Sequence, residues 1–413
     1  MMACRVYMRF SNYQKAVSYI IHEIPKTSRK VFDDEATIEK NFRFMDSLGN
    51  PQNAHKAIHV AGTSGKGSIC YLIDALLRAH SKTTGLTQSP HVYEIRERIQ
   101  INGQLVSEKK FVRALNTVLA AAQQSDIYPS YFETLTAMGY TLFKEASLDY
   151  TIMETGFGGR LDATNVITRR DKVCVLSKIG LDHIDYLGDT LEKIAVEKAG
   201  IIQPGNYVVA LRQEPEVNNV FEKRSREVGA ELVWIEQTGD YQKTNDALAI
   251  AACQFLANRD GWRFDDSLAK TALQQVFIPG RFEKRHYKEH LVILDGAHNP
   301  QKLSAMTNRV LQEHKYPATI IISLGSRKDI VTCLEALQPI TKRVIATEFF
   351  TKEQDIPKRP VATEDIAALC KQLGIEVYTE KSPSAALNHA VRFAEPIIIT
   401  GSFYLIGEMD RLF

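Results

Sequence analysis

Between about residues 57 and 235, short β-type runs alternate with helix-length amphipathic segments, and few folds admit that rhythm. The β runs are Ala57–Ala61, Thr83–Leu86, Tyr150–Glu154, Lys172–Lys178, Tyr207–Ala210 and Glu231–Ile235. Helical spacing of apolar residues marks Ile69–His80, Ser107–Gln124, Phe132–Glu145 and Leu191–Ala199. Such alternation predicts an α/β fold built on a doubly wound, mostly parallel sheet. Two helices, Tyr13–His22 and Asp34–Leu48, are expected ahead of it, and two more, Asn245–Asn258 and Ser267–Val276, close it. The turn residues Ile278-Pro279-Gly280-Arg281-Phe282 then mark a boundary. Beyond it comes a second βα series, with strands at Leu291–Leu294, Thr319–Leu324, Arg343–Thr347, Glu376–Tyr378 and Pro396–Thr400. Its helices start near Pro300, Lys328, Ala362 and Ser384. The expected organisation is a P-loop-containing domain over 1–278, a linker over 279–288 and a smaller Rossmann-like domain over 289–413. The smaller domain lacks a G-x-G-x-x-G fingerprint.

A chain of 413 residues with 44% apolar and 24% charged residues can bury a sizeable core. The formal charge of +2 argues against a general nucleic-acid binder, which needs many phosphate contacts. It leaves room for a local basic pocket that receives an anionic metabolite. Six scattered cysteines, with no CxxC pair, suit buried thiols in a reducing compartment. No apolar run reaches membrane-spanning length. Arg5, Arg9 and Lys15 open the chain without an acid, as in a transit peptide, but Tyr13 to Ile24 reads equally as an opening helix. The expected location is the cytoplasm.

The run Gly62-Thr63-Ser64-Gly65-Lys66-Gly67-Ser68 stands between a β run and a helix start. That setting makes an anion site, because unpaired backbone N–H groups and the positive helix end face a ligand. Lys66 adds a point charge suited to the β- and γ-phosphates of a nucleotide, and a nearby hydroxyl can reach magnesium. The spacing departs from the Walker pattern: Val60 stands where its first glycine would be, and Gly67 follows the lysine directly.

Ligands of open α/β sheets bind outside the carboxyl ends of the strands, and the unusual residues of this chain recur there. Glu154 ends one buried run and is followed by Gly156, Gly158 and Gly159, which would let a ligand approach the backbone. A buried carboxylate needs a cation, a hydrogen-bond cage or a proton. Magnesium would supply the first, and a salt bridge to Arg160 is the bland alternative. Ser89, in Ser89-Pro90-His91, is either a hydroxyl ligand or a turn starter. His183 alone reads more readily as a structural residue, since imidazole suits softer metals. Lys198 reads as a cation near a helix end, and Asp295 closes the β run Leu291–Leu294.

In order along the chain, these residues resemble the folylpolyglutamate synthase and dihydrofolate synthase family of the Mur ligase superfamily. The matching strings are His59–Ser68, Ser89-Pro90-His91, Phe132-Glu133, Glu154–Asn165, Leu181-Asp182-His183, Glu197–Ile201, Pro279–Phe282, Asp295–Pro300 and Thr400-Gly401-Ser402. The resemblance implies that Thr63, Ser64, Gly65, Lys66, Gly67 and Ser68 hold the ATP phosphates, with Asn245, Arg281 and Asp295 also binding the nucleotide. It implies Ser89, Glu154 and His183 as metal positions, for one or two magnesium ions, and a monovalent cation as a further cofactor. Lys198 matches the family's carbamylated lysine; a lowered pKa would favour that chemistry, because a neutral amine must attack CO2. His298 is a candidate for contact with an acyl phosphate. Ser130, Tyr131, Phe132 and Glu133 with Leu161, Asp162 and Ala163 match a pterin pocket. The chain departs from the family at Ile24–Arg29, where a leucine-glycine motif is usual, and at Ser64, where asparagine is commoner.

The resemblance implies an ATP-dependent amide ligase that adds L-glutamate to dihydropteroate, to reduced folates, or to both, through an acyl phosphate. A folate-only enzyme is the near alternative. A cell-wall Mur ligase is a third reading, but those enzymes carry a further nucleotide-sugar domain ahead of the loop, and sixty-one residues precede Gly62. A non-catalytic nucleotide-binding protein would explain Gly62–Ser68 but not Glu154, His183, Lys198 and Asp295. No nucleic-acid or membrane partner is expected, and the expected state is a monomer.

Overall fold

The computed structural model describes residues 9–26, 35–313, 317–326, 329–350 and 359–413. Of the expectations above, Cys4, Arg5, the start of the helix at Asp34, the helix start at Lys328 and the stretch Thr27-Ser28-Arg29 lie outside them. The chain forms two compact units. The first comprises residues 1–89 and 95–276; the second comprises 90–94 and 277–413.

The first unit is built on eight strands, β1 (Lys56–Ala61), β2 (Thr84–Thr87), β3 (Ile99–Ile101), β4 (Gln104–Leu105), β5 (Tyr150–Glu154), β6 (Val173–Leu176), β7 (Tyr207–Leu211) and β8 (Glu231–Ile235). Their order is β4-β3-β2-β5-β1-β6-β7-β8. Pairing is parallel from β2 through β8, and only β2–β3 and β3–β4 run antiparallel. Thus β1 is central, between β5 and β6. The β5 register sets Glu154 opposite Val60. The β6 register sets Leu176 opposite Ala61. Buried on both faces, these strands read as continuous apolar runs.

The helices of this unit are α1 (Tyr13–His22), α2 (Ala36–Ser47), α3 (Lys66–Ala79), α4 (Glu108–Gln124), α5 (Tyr131–Ala146), α6 (Ile184–Leu187), α7 (Leu191–Ala199), α8 (Pro215–Val228), α9 (Tyr241–Asp260) and α10 (Asp266–Gln275). Side-chain caps start many of them: Ser107 on α4, Ser130 on α5, Thr190 on α7, Asp240 on α9 and Asp265 on α10 each accept a backbone N–H of the first turn. One core cluster joins α1, α2, α4 and α5 through Ile20, Phe44, Phe111, Leu115, Tyr140 and Phe143. Another lies under α7 and α8 and includes Ile194, Ile202, Val217 and Phe221. α3 is buried along almost its whole length and packs against α9 and α10.

The second unit has six strands: β9 (Glu283–Tyr287), β10 (His290–Asp295), β11 (Ala318–Ile322), β12 (Thr341–Ala346), β13 (Glu376–Thr379) and β14 (Ile397–Thr400). They lie in the order β13-β12-β11-β14-β10-β9, parallel except for β9 against β10. Its helices are α11 (Pro300–Glu313), α12 (Ile330–Leu337), α13 (Thr363–Gln372), α14 (Pro383–Ala390) and α15 (Phe403–Asp410). Residues 279–288 hold a paired strand, β9. Val92 and Tyr93 belong to this unit's core: a side chain at Gly407 would meet the Val92 carbonyl oxygen at 2.4 Å. Tyr93 Oη donates to Glu283, which Arg285 also engages at 2.7 Å, and Arg285 continues to Asp410 at 2.6 Å. No helix among the described residues is long and apolar enough to cross a membrane.

Six elements, α6, α8, α15, β3, β4 and β9, were absent from the sequence reading. α8 is strongly charged, with only Val217, Val220, Phe221 and Ser225 buried. β3 and β4 are a short antiparallel hairpin, β9 reads Glu-Lys-Arg-His-Tyr, and α15 has eight residues. The helix expected from Ile69 begins earlier, at Lys66, so Gly67 and Ser68 lie in its first turn.

Candidate active site

The run Gly62–Ser68 leaves the carboxyl end of β1 and becomes α3 without a side-chain cap. Gly65 is the cap residue, at φ +90°, a left-handed conformation that favours glycine. An added side chain there would also meet Asn245 Oδ1 at 2.7 Å, so the loop and α9 touch at this point. The loop is braced from the neighbouring strand. Thr63 N and Ser64 N donate to the Lys178 carbonyl at 2.9 and 3.2 Å. Thr63 Oγ1 sits 3.1 Å from both the carbonyl and the N–H of Gly180. Ser177 Oγ donates to the Ser64 carbonyl at 2.7 Å and fills the space beside Gly62, where a Cβ would lie 1.8 Å from it. Lys66 Nζ folds back to the Gly62 carbonyl at 3.0 Å. These contacts hold a turn whose following helix presents uncapped N–H groups and its positive end, the setting of an anion site.

Glu154 ends β5 with 5% of its surface exposed. Its carboxylate stands 3.5–3.6 Å from the place a Gly67 side chain would occupy, and it accepts the Ser89 N–H at 2.8 Å. Gly67, Ser89 and Glu154 therefore meet. Arg160 is directed elsewhere, to Glu197 at 3.0 Å and Glu35 at 3.3 Å. His183 is exposed, at φ 56°, with its ring edge-on to Phe157 at 4.9 Å. Among the described residues no group of three or more His, Cys, Asp or Glu side chains stands at metal-binding spacing. A buried carboxylate beside a hydroxyl residue and an anion-binding turn nevertheless suits magnesium, which binds through one or two carboxylates, phosphate oxygens and water.

Lys198, in the last turn of α7, is buried, and its ammonium is pushed down to about 7. Burial is the main cause and the charge of Lys66 the second; Asp182, Asp162 and Glu197 oppose them. Two of the three glycines after Glu154 are required by the protein's own packing rather than by a ligand. A side chain on Gly156 would strike the Phe132 ring at 2.4 Å, and one on Gly159 would strike the Glu197 carbonyl oxygen at 2.5 Å.

Of the residues assigned to a pterin pocket, several carry structural duties. Ser130 and Glu133 form the reciprocal cap of α5, and Glu133 pairs with Lys40 at 2.6 Å. Tyr131 is fully buried, with Lys26 Nζ 4.3 Å from its ring centroid. Phe132 is half-buried above Gly156. Leu161, Asp162 and Ala163 are buried.

In the second unit, Asp295 ends β10 and is filled by its own backbone. Oδ2 accepts the Phe282 N–H at 2.9 Å and Oδ1 the Ala297 N–H at 2.8 Å. Burial raises its pKa, against the pull of Arg281 and those two N–H groups. Arg281 lies 4.4 Å over the Phe403 ring. His298 Nδ1 is 3.0 Å from the Gly296 carbonyl, so that nitrogen carries the proton, and Nε2 accepts from Lys302 Nζ at 3.3 Å. Arg281, Asp295 and His298 are thus grouped in this unit, and the remaining site residues in the first. Sequence reading passed over Ser177, Gly180 and Tyr241, whose hydroxyl lies 3.3 Å from the place a Gly65 side chain would occupy. The signal for Ser177 was its place at the carboxyl end of a β run.

Comparison with known proteins bears on this geometry. Residues 60–246 match the Mur ligase middle domain, and residues 280–412 match the dihydrofolate synthetase C-terminal domain. The folylpolyglutamate synthase of Lacticaseibacillus casei is 30% identical over 97% of this chain and 98% of its own. A probable dihydrofolate synthetase of Schizosaccharomyces pombe is 30% identical over 91% and 97%. Among solved structures, Escherichia coli FolC in complex with DHPP and ADP superposes with a TM-score of 0.82 at 26% identity, covering 98% of this chain and 99% of that one. A bifunctional folylpolyglutamate synthase/dihydrofolate synthase of Yersinia pestis, complexed with AMPPNP and Mn ion, gives 0.82 at 27%, covering 99% and 100%. An uncapped helix start with its lysine, a buried carboxylate beside it, and these full-length likenesses converge on one assignment: the chain belongs to the folylpolyglutamate synthase/dihydrofolate synthase family and is an ATP-dependent folate–glutamate ligase of that type.

Proposed function

We propose that this ligase adds L-glutamate to dihydropteroate and to reduced folates, in the cytoplasm and as a monomer. The observation that carries the proposal is the meeting of Glu154, Ser89 and Gly67 at the open start of α3. The acceptor carboxylate attacks the γ-phosphate of ATP, giving an acyl phosphate and ADP. The glutamate amine then attacks the activated carbonyl and phosphate leaves. Such a transfer needs positioning and charge neutralisation above all. Backbone N–H groups of Gly65 to Ser68 and the Lys66 ammonium would hold the phosphates. Asn245 would orient the nucleotide, and the resemblance carries the same role to Arg281 and Asp295.

Glu154 and the Ser89 hydroxyl, with His183 by resemblance, would hold magnesium, which when bound neutralises phosphate charge. A second magnesium and a monovalent cation remain part of the proposal. Lys198 fits carbamylation, because an ammonium pushed down to about 7 leaves much of the amine neutral at physiological pH. Phe132 and Asp162 would face the pterin, and His298 would meet the acyl phosphate. Free buried thiols at Cys70, Cys174, Cys253, Cys333 and Cys370 support a reducing compartment.

A second reading, dihydropteroate as the sole acceptor, is favoured by the match of residues 280–412 to a dihydrofolate synthetase domain. A panel decides between them. Dihydropteroate and tetrahydrofolate are each incubated with ATP and glutamate, and phosphate release and product mass are followed. Turnover of both establishes the bifunctional enzyme, and turnover of one names the acceptor. Phosphate release independent of any acceptor would defeat the proposal.

A further inference from the structure

His59 lies on β1, three residues before Gly62, with its ring fully buried. Its Nε2 is 2.8 Å from Thr164 Oγ1 and 3.2 Å from Thr155 Oγ1. The direction of these bonds follows from counting protons. A threonine hydroxyl has one hydrogen, and Thr164 donates it to Asp162 Oδ1 at 2.5 Å. The Thr164 oxygen can therefore only accept from His59, so Nε2 carries the ring proton. Burial first, and the charge of Lys172 second, push the ring's pKa well down, so the imidazole is neutral. Its Nδ1 is then a bare acceptor, buried without a partner among the described residues. The result is a directed chain: His59 N–H to Thr164 O–H to Asp162.

Asp162 also accepts the Thr164 N–H at 2.9 Å on Oδ1 and the Phe157 N–H at 2.8 Å on Oδ2. Three of its roughly four acceptor positions are filled from within, leaving one on Oδ2 for an outside donor. A histidine that merely filled space here would be a poor choice. A buried acceptor with no donor is unfavourable, and an apolar side chain would avoid it. What the ring adds is the fixed N–H toward Thr164.

We propose that His59 is a positioning residue for the acceptor: through Thr164 it holds Asp162 in the one orientation that can receive the N–H groups of a pterin. The proposal rests on the reading of Asp162 as an acceptor residue. It makes β1 serve both substrates, since the strand that orients the Asp162 carboxylate through Thr164 ends in the nucleotide loop.

The test compares four variants of the full chain by steady-state kinetics and thermal melting. His59→Met and Thr164→Val break the chain; His59→Gln and Thr164→Ser keep an N–H or O–H in place. The breaking variants are expected to raise the KM for the pterin acceptor roughly ten- to a hundredfold, as for a lost bond to a charged group, while the KM for ATP stays within about twofold. The keeping variants should restore the acceptor KM to within about threefold of wild type. His59→Met should melt no lower than wild type. An unchanged acceptor KM in the breaking variants overturns the proposal. So does a parallel rise for acceptor and ATP with a lowered melting point, or loss of the fold in both, since either is a purely structural role. Wild-type protein inactive on every pterin acceptor would instead remove the acceptor reading itself, before any variant is compared.

Discussion

Each unit carries a loop at the carboxyl end of an inner strand that leads into a helix, and the two loops are finished in opposite ways. In the first, Gly65 supplies no side chain to the start of α3, and its N–H groups are left for something else. In the second, Asp295 takes the Phe282 and Ala297 N–H groups, and Asn299 Oδ1 accepts the Lys302 N–H at 2.9 Å to cap α11. The second loop supplies its own side-chain acceptors; no side chain caps the first, whose first-turn N–H groups are open to a ligand or to water. Fold alone does not separate a binding loop from a structural one, and the bookkeeping of backbone donors does.

That contrast breaks first at Lys66. Lys66→Ala should lower turnover roughly a thousandfold or more, read as ADP release, with the circular dichroism spectrum unchanged. Near-normal turnover would mean the open helix end is not where phosphate binds. Lys198→Ala should come next, with a loss of about a hundredfold. Lys198 also has a pH signature. Its pKa is about 7 in the fold and 10.5 ordinarily, so between those values the folded chain holds fewer protons than the unfolded one. Stability therefore rises with pH across that window. In Lys198→Met that share of the rise should vanish from urea midpoints taken at steps from pH 7 upward.

Gly65→Ala tests the geometry of the open end directly. A side chain at φ +90° against Asn245 should raise the KM for ATP roughly tenfold and cost about 1–2 kcal/mol of stability. The smallest effect is expected at the self-satisfied end. Asn299→Ala should remove a cap worth about 1 kcal/mol, seen as a lower unfolding midpoint. If Gly65→Ala were silent and Asn299→Ala abolished ATP binding, the assignment of the two loops would be reversed.

The inner strands were legible because burial on both faces leaves little room for polar residues, as at Tyr150–Glu154; the half-buried edge strand Glu231–Ile235 was found from its apolar run Leu232–Ile235, and both have their observed limits. β9 was not legible, because its run Glu283–Tyr287 is largely charged, and the burial of Glu283 against Tyr93 involves a partner that no local pattern contains. α8 was missed for a related reason: Val217, Val220 and Phe221 are a thin apolar stripe among charges. At the site, residue types were readable and neighbourhoods were not. Glu154 comes to Gly67 because β5 lies beside β1 in a register that pairs Glu154 with Val60. His59 was part of a recognised string, yet nothing in that string announces that Thr155 and Thr164 share its Nε2.

Residues 90–94 have a consequence for how the protein is made. Val92 and Tyr93 complete a core whose other members begin roughly 200 residues later in the chain. At ribosomal speeds of about 5–20 residues per second, that early segment waits roughly ten to forty seconds for its partners. Its valine and tyrosine stay accessible to chaperones throughout that interval. A fragment beginning at residue 277 would emerge without its plug, so the carboxyl-terminal unit is poorly suited to life as a separate polypeptide.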